Sequence, residues 1–469
     1  MNTIISKISE LLKDTNDLIE FEEQIQISIY DLLTTLMGSV FTQLNQTIKR
    51  RMQSKGWTVE REDEKTIQFI FGAVRFTHTL MRDVNGKAHY PFDEWIGFRK
   101  YQRHSPLVEV KVAELASEST YRETARILGE WTAVTLSHTT VGSIVKRVGK
   151  AQARADEEML AELEEAAYLP KGDELDFLFA EADGVFVRGT KKKTSHEVHH
   201  AIIHEGWSKN GKRISLKNPQ VIMTTKPTND FWKEVQAFTA SHYSLENTQV
   251  VTNSDGGPGY TAERFQEAFS QSSYPVLNQL DSFHISKALN RTFGVKKSEF
   301  KEGVQKAIKE HELDDFIRWM DTLESTLETD KQLEKAEDFR RYIGGNWDRI
   351  FDWREKVENP PKEARGMGAM ESNQRHISFR MKKRGMHWSL EGSEAMVKIK
   401  QGILNKTLRS VYLRDQRRSV RKQRDVKKVV RMTEFLRQET QPSIGAKQGK
   451  ISLNTAHSSA IGQLIKSFR

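Results

Sequence analysis

The sequence of 469 residues contains no cysteine. That excludes disulfide staples, thiol nucleophiles and every cysteine-based zinc finger or ribbon. Any metal must then be held by oxygen or imidazole, and oxygen ligands suit Mg²⁺, or Mn²⁺ in its place. No apolar run approaches the roughly eighteen residues of a membrane span, so no membrane partner is expected. Met1–Lys7 lack a charged start followed by an apolar core, which reads as a cytoplasmic chain. At this length two to four domains are expected.

Charge is present in quantity, and its position is informative. The formal net charge is +9. Residues 401–432 hold eleven Lys/Arg, among them Arg417, Arg418, Arg421 and Lys422, against Asp415 and Asp425. This excess equals that of the whole chain, so the segment is a candidate phosphate-contacting surface. A solvated helix without a partner is the plain alternative.

Hydrophobic spacing divides the chain. Residues 1–62 carry a helical pattern (Ile8, Leu11, Leu12, then Ile25, Ile29, Leu32, Leu33, Leu36), suited to packing or dimerisation. Residues 63–104 suggest a small β-ribbon, with Asn85-Gly86 as a turn. Residues 105–150 predict helix–turn–helix: Glu109–Ser117, then a helix capped by Thr120 with Glu123 completing a capping box, then Ser137–Val148. The last would place Ser137, His138, Thr139 and Ser143 near base edges and Lys146 and Arg147 near phosphate. An ordinary helical hairpin looks similar. Residues 151–171 predict a helical connector.

From residue 172 the pattern becomes mixed α/β. Strands are expected at Leu175–Val187, His196–Trp207, Ile214–Met223, Gln249–Asp255 and Pro275–Leu280, with helices near Asn229–Ala240 and from Thr261. Three strands, helix, strand, helix, strand is the order of an RNase H-like mixed sheet flanked by helices. This core spans 172–292 and resumes at 362–400. A helical insertion (293–361) ending at Asn359-Pro360-Pro361 interrupts it, and a basic region (401–469) follows, with a short apolar helix near Ile461–Ile465.

A sheet interior does not tolerate a bare carboxylate. Asp183 lies inside an apolar strand before Gly184. Asp255 ends another before two glycines that let the backbone turn away. On adjacent strands such a pair can hold divalent ions ~3.5–4 Å apart for in-line displacement at phosphorus. Either Asp alone is an ordinary turn former or cap. On a helix through 369–384, Glu371, Arg375, Ser378 and Lys382 share one face and Met370, Ile377 and Met381 another. Arg375 and Lys382 would then lie beside a phosphate backbone, although spacing alone equally describes a Glu–Arg helix pair. His196, His200 and His204 share a strand face, but a spacing of four along a strand is ~13 Å, too far for one ion. Gly256-Gly257-Pro258-Gly259 lacks the Lys-Ser/Thr ending of a phosphate loop.

Ala182-Asp183-Gly184, Asn253-Ser254-Asp255-Gly256-Gly257, Leu280-Asp281-Ser282-Phe283-His284 and Glu371-Ser372-Asn373 together resemble the DDE transposases with an RNase H-like core. The resemblance is specifically to the ISLre-type insertion-sequence transposases, relatives of the mutator-like group, and covers essentially the whole chain. It implies Asp183, Asp255 and Glu371 as a metal-binding catalytic triad. Asp281 and His284 match the accompanying Asp-x-x-His element, with His284 at the scissile phosphate or orienting a metal ligand. It also implies Mg²⁺-dependent cleavage of double-stranded transposon ends, joining to target DNA, and a homo-oligomer. A metal-dependent nuclease that does not join strands, and a catalytically silent end-binding protein, are the alternatives.

Overall fold

The computed structural model describes residues 2–166, 168, 170–296 and 298–423. The expected helix near Ile461–Ile465 and the cations Arg424, Lys427, Lys428 and Arg431 lie outside these residues. The chain is mixed α/β, with several separate hydrophobic cores. No helix among the described residues is long and apolar enough to cross a membrane.

Helices α1 (Asn2–Asp14) and α2 (Leu18–Gln53) open the chain. The C-terminal half of α2 buries Phe41 and Ile48 on an antiparallel hairpin, β1 (Thr58–Phe69) and β2 (Gly72–Arg82). Alternate β2 residues Val74 and Phe76 point into that core, the two-residue period of a half-buried strand. A turn through Asn85-Gly86 leads to β3 (Ala88–His89), then α3 (Pro91–Ile96).

Three helices follow: α4 (Pro106–Ala116), α5 (Tyr121–Trp131) and α6 (His138–Glu165). Each starts at a hydroxyl cap, Ser105, Thr120 and Ser137, which accept from Val108, Glu123 and Thr140 amides at 3.3, 3.2 and 3.2 Å. The Glu123 carboxylate pairs with Arg126 (2.6 Å), so half of the expected capping box forms through the cap hydroxyl. The expected recognition helix and connector are one element. No breaker interrupts α6, and Val141, Ile144, Val145, Val148, Ala151, Gln152 and Asp156 stay buried along one stripe.

The next strands are β4 (Asp173–Glu174), β5 (Phe177–Arg188), β6 (Ser195–His204), β7 (Trp207–Asn210), β8 (Arg213–Leu216) and β9 (Gln220–Thr224). Two expected strands are thereby shortened. The chain turns at Gly206 (φ 104°) and again at Asn218 (φ 44°), which sets β7 and β8 aside as a separate hairpin. Then come α7 (Thr228–His242), β10 (Tyr243–Ser244), β11 (Gln249–Ser254), α8 (Ala262–Ala268) and β12 (Leu277–Leu280). The central sheet has the order β12-β11-β5-β6-β9. Neighbours β5, β6 and β9 are antiparallel, while β11 runs parallel to both β5 and β12.

Four helices, α9 (Ser282–Phe293), α10 (Glu299–Glu310), α11 (Leu313–Thr326) and α12 (Asp330–Gly345), enclose their own core around Phe316, Phe339 and Trp347. The chain returns to the sheet with α13 (Ala369–Met381) and α14 (Leu390–Leu404), and α15 (Leu408–Gln423) follows. One face of β5, Leu178, Ala180 and Ala182, packs with α7 and α8. The other, through Val185 and Val187, joins a core built from α4, α5, α6, α13 and α14. The helices of 105–150, expected as a helix–turn–helix, are therefore part of the main body.

Candidate active site

The odd-numbered residues of β5 share one face, and two of them are acids. Glu181 is buried, and its carboxylate accepts from the amides of Gly368 (2.9 Å), Ala369 (2.8 Å) and Met370 (2.9 Å) at the α13 N-terminus. It satisfies donors the helix cannot satisfy itself and places negative charge at its positive end. Asp183, one step further along that face, accepts from the Gly184 amide at 2.6 Å and from the Gln374 side chain of α13.

Asp255 follows β11 directly. In the parallel register Asn253 pairs with Glu181, so Asp255, just past the end of β11, and Asp183, midway along β5, each stand two residues beyond that pair on adjacent strands. Gly256 takes a left-handed conformation (φ 76°), and the Asp255 carboxylate accepts from the Gly257 amide at 2.8 Å. The glycines do what the sequence suggests, turning the backbone away beneath an open carboxylate. Burial first, and the Asp255 charge second, push the Asp183 carboxyl up to about 6. His284, in the first turn of α9, has Nε2 3.9 Å from the Asp183 carboxylate and opposes that rise. Asp281 is the cap of α9, accepting from the Phe283 amide at 2.8 Å.

Glu371 is not brought to the pair. It lies in the first turn of α13, on the exposed face predicted from its phase, while Met370, Ile377 and Met381 are buried. The residue that reaches Asp183 is Gln374, one turn on. Among the described residues no three His, Asp or Glu side chains are placed to share a metal ion. The two aspartates themselves fit a divalent cation, since each contributes charged oxygen and their mutual repulsion raises the Asp183 carboxyl. His200 and His204 are buried on one strand face and pushed down to about 3 and about 4, chiefly by burial, as neutral core residues.

Sequence reasoning missed Glu181 and a further group beside Asp183. Tyr260 donates to Glu197 Oε1 (3.1 Å), and its hydroxyl lies 2.6 Å from His199 Nδ1. Burial, then Glu197, then Asp183 and Asp255 push the Tyr260 phenol above its ordinary range. A side chain at Gly184 would collide with the Glu197 carboxylate and the Tyr260 hydroxyl, which accounts for glycine after Asp183. Glu181 carried a readable signal, being an acid within an apolar strand two residues before Asp183. Glu197 and Tyr260 carried none, because only the sheet and the loop after β11 bring them together.

A cleft of about 380 Å³ opens beside Asp255, between α9 and α12. Asp255, Gly257 and His284 form one end, and Lys287, Arg291 and Lys335 line it. The insertion also braces the second aspartate: Tyr342 donates to the Asp255 carbonyl at 3.0 Å, and Arg349 donates to Ser254 Oγ at 2.8 Å.

Residues 11–432 match the model of an uncharacterised protein family, UPF0236. The chain belongs to UPF0236. A UPF0236 protein of Streptococcus gallolyticus, described by its position in the vanSb 3′ region, is 30% identical over 468 residues, covering 99% of both chains. Two UPF0236 proteins of Caldanaerobacter subterraneus subsp. tengcongensis are 22% and 21% identical over 402 and 401 residues, covering 85% of this chain and 80% of each relative. The name of the second joins eleven locus designations. In this UPF0236 chain the family match thus includes Asp183, Asp255, the insertion and α13.

The expected nucleic-acid contacts are dispersed. Ser137, His138, Thr139 and Ser143 are exposed at the start of α6. Lys146 pairs with Glu391 (2.5 Å) and Arg147 with buried Glu109 (2.7 Å). Arg375 and Lys382 are exposed on α13. On α15, Arg417 is exposed and Arg418 pairs with Glu158. The backbone of Arg421 and Lys422 continues that helix, and their side chains lie outside what the structure describes.

Proposed function

We propose that this protein is a DDE-type DNA transposase with an RNase H-like core, cutting transposon ends and joining them to target DNA. The observation carrying this reading is the placement of Asp183, midway along β5, beside Asp255, just past the end of the adjacent parallel strand β11, with Asp255 opening on a cleft lined by Lys287, Arg291 and Lys335. The sheet order, with three antiparallel strands continued by two parallel ones, suits that core. A relative's name that joins eleven loci is in keeping with a sequence that copies itself within a genome.

Asp183 and Asp255 would hold Mg²⁺ or Mn²⁺, and Glu371 is the third ligand suggested by the resemblance. Ions held there would supply activation of the attacking oxygen and stabilisation of the leaving one. Water oxygen bonds to phosphorus as the P–O3′ bond breaks, and the 3′ oxygen leaves with the electron pair and takes up a proton. The freed 3′-hydroxyl then attacks a target phosphodiester, losing its proton as that strand's O3′ departs. The cleft cations draw the phosphate backbone towards the aspartates, and His284 orients Asp183. The double-stranded DNA is that of the element's ends and its target, engaged by a homo-oligomer.

The test incubates wild type, Asp183→Asn, Asp255→Asn, Glu371→Gln and Gln374→Ala with DNA spanning the element's ends and Mg²⁺. Wild type should nick and join, and each aspartate change should lower the rate by at least about a thousandfold. Loss with Glu371→Gln but not with Gln374→Ala assigns the third ligand. Cleavage that survives Asp183→Asn overturns the site. Cutting without joining makes the protein a nuclease, and end binding without cleavage makes it a silent DNA-binding protein.

A further inference from the structure

A second groove, of about 560 Å³, lies between the loop at 99–104 and the first turns of α6. Arg99, Lys100, Arg103 and Arg147 line it against one carboxylate, Glu109. Glu109 is buried and already shared: Arg147 lies 2.7 Å from it, Arg99 3.4 Å, and Tyr412 donates to it. Burial pushes its carboxyl up, and the two guanidiniums oppose that. Among the described residues, neither Lys100 nor Arg103 has an acidic partner. The groove therefore carries surplus positive charge that the fold does not neutralise.

The loop is held in shape. The Arg99 amide donates to Gln102 Oε1 at 2.9 Å, Gln102 Nε2 to the His104 carbonyl at 2.7 Å, and the Gln68 amide of β1 to the Arg103 carbonyl at 2.8 Å. Tyr101 occupies a left-handed conformation (φ 61°) and is 82% exposed, with Lys100 Nζ 5.0 Å from its ring centre. A backbone conformation unfavourable to tyrosine, used to present it to solvent, is the kind of local strain found at binding surfaces. On the facing wall stand the hydroxyls of Thr139, Thr140 and Ser143.

We infer that this groove binds the phosphodiester backbone of duplex DNA, with Lys100 and Arg103 as its charge contacts. This rests on the transposase reading only in taking DNA as the partner. No aliphatic side chain lines the groove, whereas an acidic peptide would need apolar anchors beside its carboxylates. Cations and hydroxyl donors are the set that positions a protein on phosphate. The groove is also fixed relative to the catalytic helix. Arg380 of α13 donates to the Ala116 carbonyl of α4 at 2.8 Å, and its guanidinium lies over the rings of Tyr121 (5.7 Å) and Trp388 (5.0 Å). DNA seated here is held by the body that carries Asp183.

The experiment measures binding of fluorescein-labelled duplex DNA to wild type and to Lys100→Gln/Arg103→Gln across a salt series, with polyglutamate as competitor. Wild type should bind, and the double variant should bind about a hundredfold more weakly near 0.1 M salt, its log–log salt slope smaller by about 2. An unchanged thermal midpoint shows that the variant is folded. Wild-type binding matched by the variant in affinity and slope overturns the groove while leaving DNA as partner. No duplex binding by wild type overturns the DNA reading itself. Loss of polyglutamate binding with duplex binding intact assigns the groove to an acidic protein.

Discussion

Two acids two residues apart on one strand face meet different environments. Glu181 is surrounded by three amide donors, whereas Asp183 has one amide, one side-chain amide and a second carboxylate nearby. The Asp183 carboxyl is raised to about 6, so the folded protein holds this proton more tightly than the unfolded chain. Stability is then highest below the ordinary carboxylate value and falls as pH rises from about 4 to about 6; above that the penalty is complete. For a shift of about two units it reaches about 3 kcal/mol at most. Asp183→Asn removes the charge, and its amide oxygen can still accept from the Gly184 amide. Its thermal midpoint should exceed that of wild type at pH 7.5, with the gap closing near pH 4. Mg²⁺ should raise the wild-type midpoint and leave the variant unmoved. A variant less stable than wild type at pH 7.5 would show that Asp183 is not a strained anion.

At the scale of elements, α13 depends on a residue far away in sequence. Glu181→Ala strips the acceptor from three amides at its first turn and should cost about 2 kcal/mol or more in urea unfolding. Glu181→Gln keeps an acceptor there and should lose less. Equal stability of Ala and Gln would mean that solvent serves those amides as well. Here the sequence was legible in phase but not in distance. The helical period separates Met370, Ile377 and Met381 from Glu371 and Arg375, as the structure has them, but cannot say that Gln374 is the residue within reach of Asp183. Strand alternation, the glycines after Asp255 and the cap Thr120 were readable because each is a local preference. The division into β8 and β9 at Asn218 and the unbroken run of α6 were not. Tertiary packing decides both, through a left-handed residue in one case and a long buried stripe in the other.

Across the whole molecule, charge and connectivity look different from their sequence pattern. Part of the basic segment is spent on the protein's own acids: Arg409 pairs with Glu114 (2.8 Å), Arg418 with Glu158, and Asp415 receives Arg154 (2.7 Å). Those pairs tie α15 to α4 and α6, while Lys287, Arg291 and Lys335 at the α9–α12 cleft and Lys100 and Arg103 at the 99–104 groove have no acidic ion-pair partner among the described residues. The deepest joint is Lys398 of α14, fully buried, with Nζ 2.7 Å from Asp156 of α6 and 2.6 Å from Glu234 of α7. It fastens helices from both faces of the sheet, and its two carboxylates hold the ammonium above its ordinary range against the cost of burial. Lys398→Met would leave buried Asp156 without its cation and facing Glu234, which keeps only Lys226 at 3.2 Å, a loss of about 3–5 kcal/mol. Asp156→Asn added to that variant removes one of the opposed charges and should restore part of the stability in urea unfolding. If the double variant were as unstable as Lys398→Met alone, the lysine would act through packing of its stem, and the charged link between α6 and α7 would be the one Lys226 makes to Glu157 and Glu234.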